Sequence, residues 1–465
     1  MSLSRRDLLW LFGASAVGAL GAAALGQVGG KRPPNIVFIL ADDLGYGEVG
    51  CYGQEKIKTP NIDGLAKEGM RFTQCYAGTT VCAPSRCCLL TGLHTGHAWV
   101  RGNKDIALRA EDRTIAEVLK GAGYATGLIG KWGLGEPGTS GTPNKKGFDE
   151  FFGYLNQTHA HDYWTDYLFR NEEKITIKEN LDKKQGVYSE DLFATEALSF
   201  IERHKDHPFF LYLALTIPHA KLHPPSMEPY EKEDWPEDEK KLAAMVTRMD
   251  RDIGRVLAKM KELGLEENTV VFFASDNGPH KEGGRKPEFF KSSGPLRGIK
   301  RDMYEGGIRV PMIVRWPGRI KAGSVSEQVW AFWDFPFTAA EIAGTSFSVK
   351  GDGISMAPGM AGREQKQHEY LYWEFHEKGF FQAVRKGDWK GVKKGTKIPV
   401  EVYDLKNDLG ERKDLAKERP EIAAEMERIM REARTDSVKF PITEAKVGAT
   451  KPEAKPAAGA GGRKN

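Results

Sequence analysis

Short, unbroken apolar runs separated by segments of helical periodicity constrain this chain most. The first run is Asn35-Ile36-Val37-Phe38-Ile39-Leu40-Ala41, and similar runs fall at 125–129, 209–217, 269–274 and 311–314. Runs without polar alternation mark strands buried on both faces of a sheet. Between them, residues 114–122, 189–203 and 240–263 repeat apolar positions at spacings of three and four, the pattern of amphipathic helices. Alternating strands and helices predict an α/β fold: a mostly parallel, mixed central sheet flanked by helices.

The polar residues that follow these runs form a second pattern. The first run ends in Asp42-Asp43, the second in Lys131, the third in His219 and the fourth in Asp276-Asn277. Ligands of open α/β sheets bind beyond the carboxyl ends of the strands. Asp and Asn are also common turn formers after strands, but four strand ends delivering carboxylates, an amide, a lysine and a histidine to one edge point to a site. The net charge of +4, from 68 basic and 64 acidic residues, is too balanced for a nucleic-acid partner.

The character of the chain divides it. Residues 1–30 open with Ser4-Arg5-Arg6-Asp7, continue through an apolar stretch from Leu8 to about Leu25 and contain Ala22-Ala23-Ala24. This reads as a cleaved export signal of twin-arginine type, placing the mature protein in the periplasm or outside the cell, with export machinery as a partner. The stretch is short, and rich in Gly and Ala, for a spanning helix. Residues 33–343 are expected to form the catalytic domain. From 344 to 440, short strand-like runs at 370–375, 380–384 and 401–405 precede a helix at 420–433, predicting a smaller α+β domain with an antiparallel sheet. Residues 441–465, rich in Ala, Gly, Lys and Pro without periodicity, are expected to be a disordered tail.

Five cysteines, Cys51, Cys75, Cys82, Cys87 and Cys88, are an odd number for an exported chain, so at least one thiol is unpaired or modified. Adjacent Cys87 and Cys88 are expected to pack in a core rather than bond to each other. Cys82 opens Cys82-Ala83-Pro84-Ser85-Arg86-Cys87-Cys88-Leu89-Leu90-Thr91-Gly92, which reads as a turn feeding a helix, with Pro84 in its first turn and Gly92 beyond its end. Amides and dipole at a helix N-terminus favour negative charge. A reactive thiol, a modified cysteine and a buried structural cysteine all remain open on these grounds.

Cys-x-Pro-Ser-Arg followed by Leu-Thr-Gly resembles the signature of the type I sulfatases, members of the alkaline-phosphatase-like superfamily. Further motifs resemble that family in its order: Ala41-Asp42-Asp43-Leu44-Gly45, Gly130-Lys131-Trp132, Pro218-His219, Ser275-Asp276-Asn277-Gly278, the segment holding Lys300, Glu305-Gly306-Gly307, and Val402-Tyr403-Asp404-Leu405. The resemblance covers about residues 33–435.

It implies that a maturation enzyme oxidises Cys82 to formylglycine. The hydrate of that aldehyde attacks sulfur with one hydroxyl, and loss of a proton from the second releases sulfate. It implies metal ligands Asp42, Asp43, Asp276, Asn277 and residue 82, an oxygen set suited to Ca²⁺ and less to Mg²⁺. Arg86, Lys131 and Lys300 would neutralise sulfate oxygens, and His219, with Lys300, would protonate the leaving oxygen. The substrate class implied is sulfate monoesters, with sulfated carbohydrate fragments preferred. Trp132, Tyr163, Trp164, Tyr167 and Trp373 are candidate stacking faces for sugar rings, or core.

One departure stands out. The family often carries histidine where this chain has Gly133, leaving the base for sulfate release unassigned. His161, or else His159, in Asn156-Gln157-Thr158-His159-Ala160-His161-Asp162-Tyr163, is the candidate replacement. His94 and His97 are expected near the pocket, His204 and His207 at a solvated helix end, and His223 near substrate. Alternatives are a phosphonate or phosphate ester hydrolase of the same superfamily, an inactive carbohydrate-binding relative, and a plain thiol enzyme.

Overall fold

The structure is a computed structural model describing residues 32–377 and 379–442. The segment 1–30 and the tail beyond 442 lie outside the described residues. Among the described residues, ten strands form one sheet and four form another. At the centre of the large sheet, Thr269–Ser275, Asn35–Ala41, Phe209–Ala214, Ala125–Lys131 and Glu150–Tyr154 run parallel. Every residue of Asn35–Ala41 is buried, as an unbroken apolar run requires. Arg309–Arg315 joins antiparallel to Thr269–Ser275, and Met70–Tyr76 antiparallel to it in turn. Ser324–Ala331 pairs parallel with Met70–Tyr76 at that edge. Tyr167–Arg170 and Glu173–Thr176 close the other edge.

Helices cover both faces. Ser189–Arg203 and the long helix Glu237–Glu262 pack over the core built on Val37, Ile39, Leu211 and Phe273. The helices Cys82–Thr91, Ile115–Gly121 and Phe335–Ile342 contribute to the core that holds Phe38, Leu40 and Phe272. Thr114, expected inside a helix, is instead the cap before Ile115, in a reciprocal capping box with Glu117. The run expected to be strand over 209–217 leaves the sheet after Ala214. Leu215 N still reaches Leu40 O at 2.9 Å, and Ile217 O accepts from Asp42 N at 3.0 Å, so the apolar tail is buried while the chain bends toward His219.

The small sheet, Leu371–Phe375, Phe381–Lys386, Trp389–Lys394 and Glu401–Asp404, is antiparallel throughout and carries the helix Pro420–Glu432. A buried ionic hub joins it to the large sheet. Lys390 Nζ donates to Glu305 Oε1 at 2.8 Å, Tyr76 Oη to Glu305 Oε2 at 2.6 Å, and Glu305 N to Glu411 Oε2 at 2.7 Å. Glu305 follows Lys300 closely, so the small sheet braces the loop that carries that lysine.

Candidate active site

The helix Cys82–Thr91 starts on Cys82, and Gly92 ends it in the left-handed region at φ 72°. Asn103 Oδ1 accepts from Ala83 N at 2.9 Å, satisfying one free amide of the first turn. Cys82 Sγ lies 3.2 Å from Asp42 Oδ1 and 3.9 Å from Asp43 Oδ1. Successive residues of a strand point to opposite faces. Asp43 breaks that rule with φ 66°, and both carboxylates reach the sulfur.

The second acidic loop interlocks with the first. Asp43 N donates to Asp276 Oδ1 at 3.0 Å, and Asn277 Nδ2 donates to Asp43 Oδ1 at 2.7 Å. Three cations face these carboxylates. Lys131 Nζ lies 2.6 Å from Asp42 Oδ2, Lys300 Nζ 2.7 Å from Asp43 Oδ2, and Arg86 Nη2 2.9 Å from Asp276 Oδ2. All of these groups are buried. Burial pushes the Asp42 and Asp43 carboxyls up, but the surrounding positive charges together, led by Lys131 for Asp42 and Lys300 for Asp43, hold both below their ordinary range. Asp276 goes the other way: burial and the Asp42 charge push it up to about 7 against the pull of Arg86. Burial, Asp276 and Asp42 also raise Cys82 well above an ordinary thiol.

A cavity of about 370 Å³ opens on this cluster, lined among others by Cys82, Gln157, His161, His219, Glu282 and Lys300. Arg86 and Lys131 pair with the Asp276 and Asp42 carboxylates, and Arg86 Nη1 also donates to Lys131 O at 3.1 Å. Lys300, Lys221 and Arg301 are cations that line the cavity.

His219 Nδ1 bonds to the Ala220 carbonyl, which only accepts, so the proton of the neutral ring sits on Nδ1. Nε2 then accepts from Lys300 Nζ at 3.1 Å. Burial and the Lys300 charge lower His219 to about 3, while Lys300 is raised: burial lowers it, but the surrounding acidic groups together, led by Asp43, outweigh that. The proton of this pair therefore rests on Lys300. His280, which no motif singled out, supports the loop from behind, with Nε2 on Pro218 O at 3.0 Å.

The two candidate histidines separate. His161 stacks on His219, ring centroids 4.0 Å apart and planes at 14°, and faces the cavity. His159 turns away, its Nε2 on Thr165 Oγ1 at 2.7 Å and its ring stacked on Tyr167. Gly133 has φ +81°, and a Cβ there would meet Gln157 Nε2 at 2.0 Å. Gln157 thus fills the space a side chain at 133 would enter. Sequence spacing could not identify it, because that contact depends on how two loops fold together.

Two further expectations change. His94 and His97 do not line the cavity; they stack on each other and meet Asp352, His97 Nδ1 at 2.8 Å. Among the candidate stacking residues, Trp132, Tyr163 and Trp373 are core, at 1%, 0% and 0% exposure.

The residues fit a hard divalent cation. Ligand atoms of Asp42, Asp43, Cys82 and His219 lie within 4.8 Å of one another, and Asp276 and Asn277 adjoin them. Asn277 Oδ1 is buried with no hydrogen-bond partner. An orphaned buried acceptor is costly unless a ligand takes it, and the oxygen-rich set suits Ca²⁺ or Mg²⁺ rather than a soft metal.

Comparison with known proteins decides the family. The sulfatase family model matches residues 34–345, and the model described as N-sulphoglucosamine sulphohydrolase, C-terminal, matches 299–436. The chain belongs to the sulfatase family. Dog N-acetylgalactosamine-6-sulfatase is 32% identical over 389 residues, 76% of this chain and 71% of that protein. N-acetylgalactosamine-6-O-sulfatase of Bacteroides thetaiotaomicron is 28% identical, covering 87% of this chain and 94% of its own. The crystal structure of Ps i-CgsB in complex with k-i-k-neocarrahexaose superposes with a TM-score of 0.78 at 30% identity, covering 89% of this chain and 96% of that one. This sulfatase is accordingly a sulfuric ester hydrolase, and its fold is the alkaline-phosphatase-like one expected.

Proposed function

We propose that this enzyme hydrolyses sulfate monoesters of carbohydrates, with Cys82 converted to formylglycine by a maturation enzyme and a divalent cation, Ca²⁺, held by Asp42, Asp43, Asp276, Asn277 and residue 82. The observation that carries this reading is the cavity itself: Cys82, Lys300 and His219 line one space backed by that oxygen cluster. Relatives named for sulfated amino sugars, and one solved with k-i-k-neocarrahexaose, support a carbohydrate substrate.

The cation, when bound, supplies positive charge to sulfate oxygens and to the hydroxyl of residue 82. Formylglycine supplies the geminal diol that serine lacks. Lys300 orients a sulfate oxygen and, with His219 Nε2 beside it, delivers a proton to the leaving alcohol. Arg86 and Lys131 position the Asp276 and Asp42 carboxylates. His161 is the proposed base for sulfate release because its ring lines the cavity and stacks on His219; burial and the Lys131 charge lower it to about 4, so it is neutral at neutral pH. We place the mature enzyme in the periplasm or outside the cell, led by the segment 1–30.

Mass spectrometry of the Cys82 peptide from active enzyme tests the modification. Formylglycine is expected, and an intact, alkylatable thiol in active protein overturns it. Turnover of matched sulfate and phosphonate esters of sugars tests the reaction: sulfate release is expected to dominate, and faster phosphonate cleavage reverses the assignment.

A further inference from the structure

A second cavity, of about 420 Å³, lies beside the catalytic one. Its walls include Trp164, Gln185, Leu222, His223, Met227 and Lys241. Two chain segments pass from one cavity to the other. Gln157, Thr158 and His161 line the catalytic cavity, and Trp164 lines the second. His219, Ala220 and Lys221 line the first, and Leu222 and His223, next in the chain, line the second. Neighbouring Cα atoms are about 3.8 Å apart and three residues span at most about 11 Å, so the cavities adjoin along both walls.

The lining has the chemistry of a sugar site. The Trp164 ring is half-buried and packs at a tilt against Tyr188, ring centroids 5.2 Å apart, so it is supported yet reachable. An aromatic face beside the Gln185 amide, the His223 imidazole and the Glu231 carboxylate offers stacking together with donors and acceptors, which a ring with C–H faces and hydroxyls matches. Lys241, paired with Glu237 at 2.6 Å, and Glu231 place both a donor and an acceptor on the wall, suited to ring hydroxyls.

We propose that this cavity is a subsite for the neighbouring ring of a sulfated oligosaccharide, with Trp164 as its stacking platform. This rests on the carbohydrate reading above and adds to it that the substrate is a chain rather than a monosaccharide.

The test compares kcat/KM on a sulfated monosaccharide with that on a tetrasaccharide carrying the same sulfate. The longer substrate is expected to be better by about tenfold or more, because remote binding energy serves the transition state. Trp164→Ala is expected to bring that ratio near one, mainly through KM, and Trp164→Phe, which keeps a stacking face, to retain most of it. Should Trp164→Ala fail to fold, Lys241→Ala reads the same ratio, expected to fall about threefold. A wild-type ratio near one, or a ratio that survives these changes, overturns the subsite while leaving the sulfatase reading intact. If neither sugar releases sulfate, the carbohydrate reading fails and the subsite with it.

Discussion

Around Glu305, buried charge closes on itself, whereas around Cys82 it opens on a cavity. Both clusters set carboxylates against lysine and arginine at fewer than 10% exposure. In the hub, Glu305 meets Lys390, Tyr76 and Arg309, and none of Glu305, Lys390 or Glu411 lines either cavity. Glu411, like Asp276, is pushed up to about 7, but its free oxygen lies 3.3 Å from Lys390 Nζ, whereas at Cys82 the buried Asn277 Oδ1 has no partner. Desolvated charge that is internally matched braces two sheets; desolvated charge left incompletely matched is poised for a ligand.

The comparison can be broken from either side. The largest effect is expected from Cys82→Ala, which should lower kcat/KM by about 10⁴-fold or more with little change in thermal stability. Residual activity within tenfold of wild type would remove residue 82 from the chemistry. In the hub the balance inverts. Lys390→Met strands Glu305 and Glu411, and urea unfolding should show a loss of about 3–5 kcal/mol. A loss under about 1 kcal/mol would mean the hub is not a brace.

Smaller changes sharpen the contrast. His161→Ala should reduce kcat by about 10²-fold with KM falling in step and kcat/KM little changed, because only the sulfate-release step is slowed. Rapid-mixing kinetics should show a burst of released alcohol followed by slow turnover; unchanged steady-state kcat would take His161 out of the mechanism. The smallest effect concerns pH. Burial, with Glu305 adding to it against Lys390, raises Glu411 from 4.5 to about 7. The folded state keeps a proton that the unfolded chain releases, so this contribution is full below about 4.5 and lost as pH rises through about 7. Glu411→Gln should shrink the stability difference between about pH 5 and about pH 8 by about 1 kcal/mol, measured by urea titration at each pH. An unaltered difference would mean that Glu411 does not titrate in this window.

The central parallel strands were legible because a strand buried on both faces must be apolar throughout, as Asn35–Ala41 and Thr269–Ser275 are. Other strands were less legible. Met70–Tyr76 mixes polar and apolar residues because only alternate positions along much of it are buried, and Trp389–Lys394 is short and mostly polar around Gly391 and Val392.

The site divides the same way. Asp42, Asp43, Lys131, Asp276 and Asn277 could be read from the sequence, since each follows a recognisable strand and strand ends of such a sheet converge. His161 could be nominated but not separated from His159, as two residues on one short turn differ only in what packs against them. That Gln157 occupies the space at Gly133, that Arg86 pairs with Asp276 and Lys131 with Asp42, and that Trp164 rather than Trp132 or Trp373 faces a cavity were decided by tertiary structure alone. Local pattern sets which residues must be buried; which side chains meet depends on contacts between segments far apart in the chain, and spacing along it carries no record of them.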